Sequence, residues 1–214
     1  MKTFYTEKEL KESLLKYTKE HQEVEAYMRG SLLFTEEKLA KNGSIKGCFY
    51  GCMTQSSEKT FEKASNQYGL PLWYVHVTER IYEGLPESEW LSFPYEAIEI
   101  LPVGIDMNII RSRFNYFLLK DQLRFTKKES QQYKAIIQCM NLYTVSFNNI
   151  DRSAAESAFK SAFKSGAWSA AWSAESAAES SYYIWMKNLL FECIKNNSLD
   201  YVINENILEA KPVK

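Results

Sequence analysis

Two cysteines stand at a spacing of four, each behind a glycine, in Gly47-Cys48-Phe49-Tyr50-Gly51-Cys52. On a helix that spacing puts both thiols along one side. Two thiolates there could share a metal, but a structural zinc closes a tetrahedral ligand set. The chain has only His21 and His76 to add, and no second cysteine pair is near. A vicinal thiol switch would need a depressed thiol pKa, and a dyad of Cys48 or Cys52 with His76 would make a nucleophile. The plainer reading is close packing, because glycine and cysteine are small and cysteine is buried like a hydrophobe. Cys48 and Cys52 are therefore a candidate thiol pair, with no metal and no cofactor assigned. Their small face could pack on the serine ridge of residues 153–173 described below.

Charged groups offer a second kind of chemistry. Arg80 and Glu83 lie close together in one segment, and Asp106 and Arg111 in another. With nearby Tyr or Trp rings they could clamp a nucleotide-like ligand. The Glu79/Glu83 pair has helical spacing and is expected on a solvated face, not as a glycosidase or metal-carboxylate pair. The basic run from Lys120 to Lys128 includes Arg124 and Lys127. It is expected at a helix end in solvent, with an acidic partner or a phosphate as the alternative. His21 is expected to face solvent, His76 to be a structural or surface residue, and Cys139 and Cys193 to be core residues. The chain contains no G-x-G-x-x-G, Walker, G-x-S-x-G or H-E-x-x-H pattern.

The elements that must position these groups are mostly helical. Thr6 and Glu9 form a capping-box pattern, and Leu10, Leu14, Tyr17, Val24 and Met28 recur at helical spacing. A helix is expected from there to Met28, stopped by Gly30. Thr35 with Glu36 and Glu37 predicts a short helix ending near Asn42-Gly43. A strand over 31–34, giving a minor β hairpin within 31–50, is the alternative. Ser56 or Ser57 opens a helix to Gln67, with Gly69 behind it. Pro71 opens a helix over 72–83 that stops at Gly84, and Pro86 and Pro94 each open a short helical piece. Only 96–101 hints at strand alternation. After a turn at Leu101–Gly104, Asp106 or Asn108 caps a helix carrying Ile109, Phe114 and Leu118. Thr126 precedes another, with Tyr133, Ile136, Ile137 and Met140 on one face.

Residues 151–180 hold ten alanines and eight serines, against five alanines in residues 1–150. Serines at 153, 157, 161, 165, 169 and 173 wind slowly along one helix face, a ridge that a neighbour can approach closely. The Phe159/Phe163 and Trp168/Trp172 pairs face opposite ways. Either the helix is covered on both sides or kinked at Gly166, or Trp168 and Trp172 are exposed as a contact site. A straight helix over 151–195 would be about 67 Å long, longer than a domain of this size at roughly 40–45 Å. A bend near Gly166 or Ser180-Ser181 is expected. The expected fold is mainly α: a single-domain helical bundle with a body over 1–149, a long bent Ala/Ser-rich helix over 151–195 and a polar tail over 196–214.

The chain has 214 residues, a net charge of -1 and 14% aromatic residues. Such a chain has rings enough to build a core. Balanced charge argues against a strongly basic nucleic-acid binder. The N-terminus MKTFYTEKEL has no signal-peptide pattern, and no apolar run is long enough to span a membrane. Four cysteines without an export signal point to free thiols in the cytoplasm.

In order, the motifs are Gly-Cys-x-x-Gly-Cys, Tyr68-Gly-Leu-Pro71, Glu79-Arg-Ile-Tyr-Glu-Gly-Leu-Pro86 and Leu101-Pro-Val-Gly-Ile-Asp106, followed by Ala167-Trp-Ser-Ala-Ala-Trp172. Over roughly residues 45–190 this order resembles a group of bacterial and phage proteins with an alanine-rich C-terminal helix, labelled immunity proteins. Members of that group carry a histidine shortly after the second cysteine, where this chain has Met53-Thr-Gln-Ser56. The resemblance implies a non-catalytic protein that occludes a partner, either a toxin or a host defence factor, and an oligomer is compatible with it. The alternatives are a binder that sequesters a nucleotide signal and a thiol- or metal-dependent enzyme using Cys48 and Cys52.

Overall fold

The Thr6–Glu9 pattern does not open the first helix. In this computed structural model, which describes residues 2–30, 35–56, 58–144 and 176–197, α1 runs over Lys8–Glu23. Thr6 itself has left-handed backbone (φ 72°) and belongs to the 3-10 turn Thr3–Thr6. The helix also ends before Met28. Glu25 is left-handed (φ 53°), Glu25 N–H donates to Gln22 O at 3.2 Å, and Ala26 N–H donates to His21 O at 2.9 Å. This is a Schellman closure with glutamate where glycine is usual. It frees residues 26–28 to run as extended chain beside Gly47, with Gly47 N–H donating to Ala26 O and Met28 N–H to Gly47 O.

Residues 35–39 are a strand, not the expected short helix. β1 (Thr35–Leu39) pairs antiparallel with β2 (Ile45–Lys46). The turn between them closes locally: Ala40 N–H donates to Ser44 O, Asn42 Oδ1 accepts the Ser44 N–H, and Gly43 supplies the positive φ. A hairpin partner this close in sequence outweighs the helix-start preference of Glu36 and Glu37.

The remainder is helical. α2 covers Phe49–Thr54, α3 Thr60–Tyr68, α4 Leu72–Gly84, α5 Phe93–Glu99, α6 Asn108–Gln122, α7 Gln131–Thr144 and α8 Ser176–Lys195. The weak alternation over 96–101 lies largely inside α5. Ser180 and Ser181 sit within α8, so the helix does not break there. Gly166, Trp168, Trp172 and the serine ridge lie outside the described residues, as do 31–34 and the tail beyond 197. Among the described residues no helix is long and apolar enough to cross a membrane.

α4 lies at the centre of the main core, packing against α2, α3, α5 and α8. Tyr74, Val75, Ile81 and Tyr82 of α4 are fully buried among Phe49, Phe93, Phe114 and Leu190. A smaller core joins α6 and α7 through Leu119, Ile136, Cys139, Met140 and Tyr143.

Several helix ends are closed by side chains from distant elements. Lys11 of α1 donates to the carbonyls of Glu99 and Leu101 just behind α5, at 2.8 and 2.6 Å. Arg113 of α6, itself buried, donates to Asn196 O behind α8. Cations at helix C-termini satisfy free carbonyls and oppose the helix dipole.

The N-terminal turn is locked onto the Leu101–Asp106 loop. Thr3 N–H donates to Ile105 O, Gly104 N–H donates to Thr3 O, and Thr3 Oγ1 donates to Pro102 O at 2.6 Å. Phe4 is fully buried. Phe4, Tyr5 and Thr6 are all left-handed, which costs about 1–3 kcal/mol per residue for L side chains. Gly69, with φ +62°, makes room for this turn: a Cβ there would lie 2.7 Å from the Tyr5 backbone nitrogen.

Candidate functional site

The Gly-Cys repeat and the Glu79 motif meet inside the core. Cys48 is the N-cap of α2, its Sγ accepting the Gly51 N–H at 3.3 Å. Cys52 Sγ lies one turn on, at 3.5 Å from Ala26 O and 3.4 Å from Gly47 O. From α4, Glu79 Oε2 accepts the Tyr50 N–H at 3.2 Å, so a carboxyl of one helix caps the start of another. The second carboxyl oxygen, Oε1, is buried and has no hydrogen-bond partner among the described residues, as is the case for the Tyr27 hydroxyl. Beside them Tyr50 Oη bonds Thr78 Oγ1 at 2.7 Å, and Tyr82 Oη donates to Met28 O at 2.9 Å.

Electrostatics follow from that burial. Loss of solvent raises the Glu79 carboxyl from its usual 4.5 to about 7; the Tyr50 N–H and the Cys48 thiol pull it down, and Glu83 pushes it up. Burial raises the Cys48 thiol far above its ordinary value, with Glu79 adding to the rise. Cys52 is pushed up to about 12 by burial. Both therefore stay protonated near neutral pH, unlike a nucleophilic or metal-binding cysteine. All four cysteines are free and buried, as expected of Cys139 and Cys193. Among the described residues no three His, Cys, Asp or Glu side chains are arranged to hold a metal ion.

Two expectations need correction, and that for His76 stands. The Glu79/Glu83 pair is not on a solvated face, since Glu79 is only 5% exposed. The signal was present: 75, 78, 79 and 82 form one helical stripe, and the other three positions are Val, Thr and Tyr. His21 does not face solvent. It is half-buried, its ring tilted against Tyr17 at 3.9 Å and 5.9 Å from Tyr27, with burial lowering its pKa. His76 is exposed against Phe61, apart from the buried thiols.

The remaining candidate residues are dispersed. Arg80 is exposed on α4, whereas Glu83 Oε2 accepts the Gly30 N–H at 2.7 Å. Asp106 Oδ1 accepts the Asn108 N–H at the start of α6, and Arg111 is half-buried one turn along. Asp106 and Glu83 thus hold backbone, each at a different place in the fold. Trp168 and Trp172, and the serine ridge proposed to cover Cys48 and Cys52, lie outside the described residues.

Sequence reasoning gave Phe125 no role. It ends the 3-10 turn Leu123–Phe125 behind α6 and is 56% exposed. The Arg124 guanidinium lies 5.6 Å from the Phe125 ring centre and pairs with Asp121 at 2.8 Å. Lys127 and Lys128 are exposed just beyond. The corner between α6 and α7 thus presents an exposed aromatic ring beside the Arg124 guanidinium, with two exposed lysines close behind in sequence.

With that geometry in place, the chain was compared with protein-family models, curated proteins and solved structures. None of the three comparisons gave a match.

Proposed function

We propose that this chain is a non-catalytic binding protein that acts by occluding a protein partner. The observation that carries the reading is Phe125, a large ring left 56% exposed at a corner with Arg124, Lys127 and Lys128. Exposed aromatics beside arginine are the usual energetic anchors of protein interfaces. The protonated, buried state of Cys48 and Cys52 supports binding over thiol catalysis. The resemblance to immunity proteins supplies the partner class, a toxin or a defence factor. Four unbridged cysteines support a reducing, cytoplasmic setting.

The test is site-specific photo-crosslinking. A crosslinking residue at position 125 is expected to capture one protein, and a Lys127→Glu/Lys128→Glu variant is expected to lose it. Purified native protein that carries a bound small molecule and gives no crosslink at 125 would overturn the reading.

A further inference from the structure

Among the described residues Glu79 is a buried acid with no cation beside it. Its neighbours are the Tyr50 N–H and the Cys48 thiol from the head of α2, Cys52 from the same helix, Tyr27 from the extended segment, and Tyr82 and Glu83 from α4 itself. Charges on the other helices packed against α4 are engaged or exposed. Lys187 of α8 pairs with Glu89 and with Glu96 of α5, while Glu62 and Lys63 of α3 are exposed. Arg80 of α4 is exposed as well.

A neutral carboxyl suits this place. It can accept the Tyr50 N–H on one oxygen and carry its proton on the other, and it places no charge in the core. An ionised carboxyl there would have one backbone donor and a thiol, with Oε1 still unpartnered. A buried charge so poorly compensated is relieved by admitting water or by separating the elements around it. The element that Glu79 holds is α2, a helix over Phe49–Thr54 whose first turn is capped by Glu79 and Cys48, and whose far end is held by the Tyr17 and Tyr68 hydroxyls on the Cys52 and Met53 carbonyls.

We propose that the junction of Glu79 with α2 is a pH-sensitive switch: the neutral carboxyl docks α2 on α4, and ionisation loosens α2 and uncovers Cys48 and Cys52. The proton is the ligand of this site, and the proposal is independent of what the protein binds elsewhere. The pH range follows from the burial of the carboxyl, which places its titration near 7.

The experiment is thiol labelling of the full chain between about pH 5.5 and about pH 8.5, read by mass spectrometry for each cysteine. Rates are divided by the thiolate fraction of a model thiol at each pH. Cys139, in the separate core of α6 and α7, and Cys193, beside Arg113 and not Glu79, serve as internal references. The expected result is a rise of about tenfold or more in normalised labelling of Cys48 and Cys52 alone, abolished in Glu79→Gln. Equal profiles for wild type and Glu79→Gln would overturn the proposal, as would a rise shared by all the cysteines. Should Glu79→Gln not fold, the wild type carries the test. The infrared carbonyl band of a protonated carboxylic acid must then fade together with thiol protection across neutral pH. A band that is absent in mild acid, or that persists through the labelling rise, overturns it.

Discussion

The ring edge of Tyr183 on α8 lies against the backbone of Gly84, where a Cβ would come within 2.0 Å of two ring carbons. Glycine at 84 is required here by contact: any side chain would push α8 off the end of α4. Gly84→Ala is therefore expected to cost about 1–3 kcal/mol through overpacking. Urea unfolding would show this as a lower midpoint at unchanged slope. Tyr183→Ala in the Gly84→Ala background should recover part of the loss relative to the sum of the single changes.

The pH profile of stability has a definite sign. Glu79 titrates near 7 when folded and near 4.5 when unfolded. Between these values the folded chain holds the proton more tightly. Its contribution to stability is complete below about pH 4.5 and declines as pH rises through 7, by about 3 kcal/mol in all. Glu79→Gln is expected to remove that decline and to be the more stable protein at mildly alkaline pH. Thermal midpoints of both proteins across this range would check it.

Lys187 of α8 reaches Glu89 at 2.5 Å and Glu96 at 3.3 Å, with its own side chain 12% exposed. Lys187→Met leaves two partly buried carboxylates facing one ammonium-sized gap. The expected cost is about 1–3 kcal/mol, measured by denaturant unfolding. Adding Glu96→Gln should return part of it, since the two residues share one cluster.

Phe125→Ala, by contrast, is expected to change stability by no more than about 0.5 kcal/mol, because the ring is largely in solvent. Its effect should appear in partner binding, as a faster dissociation rate. A large loss of thermal stability in Phe125→Ala would show that the ring is anchored internally.

Sequence legibility divides along the same physical line. Pro71 and Gly84 bound α4 as read, and the apolar spacing of α6 and α7 gave those helices directly. Local rules handle such signals well. Even a closing group near in sequence can be passed over: Ser130 Oγ accepts the Tyr133 N–H at the start of α7, where the sequence reading singles out Thr126. Where Glu79, Lys11 and Arg113 close ends from far away, nothing local announces them. The unused Thr6–Glu9 box is the reverse case, a local preference overridden by the docking of Thr3 and Phe4. Cys48 and Cys52 are buried, but the contact of Cys48 with Glu79 spans about thirty residues and could not be read from spacing.

The attachment of Thr3 to Pro102 and Ile105 also sets an order of events during synthesis. The turn over residues 3–6 is made about one hundred residues before its hydrogen-bond partners. At about 5–20 residues per second this is a wait of roughly 5–20 s. For that interval the turn lacks its partners in the Leu101–Asp106 loop. Contacts closing so long a loop form late and slow the folding of the whole. A nascent chain halted before residue 101 would thus leave the turn over residues 3–6 unattached, whereas a chain extended beyond residue 106 can dock it.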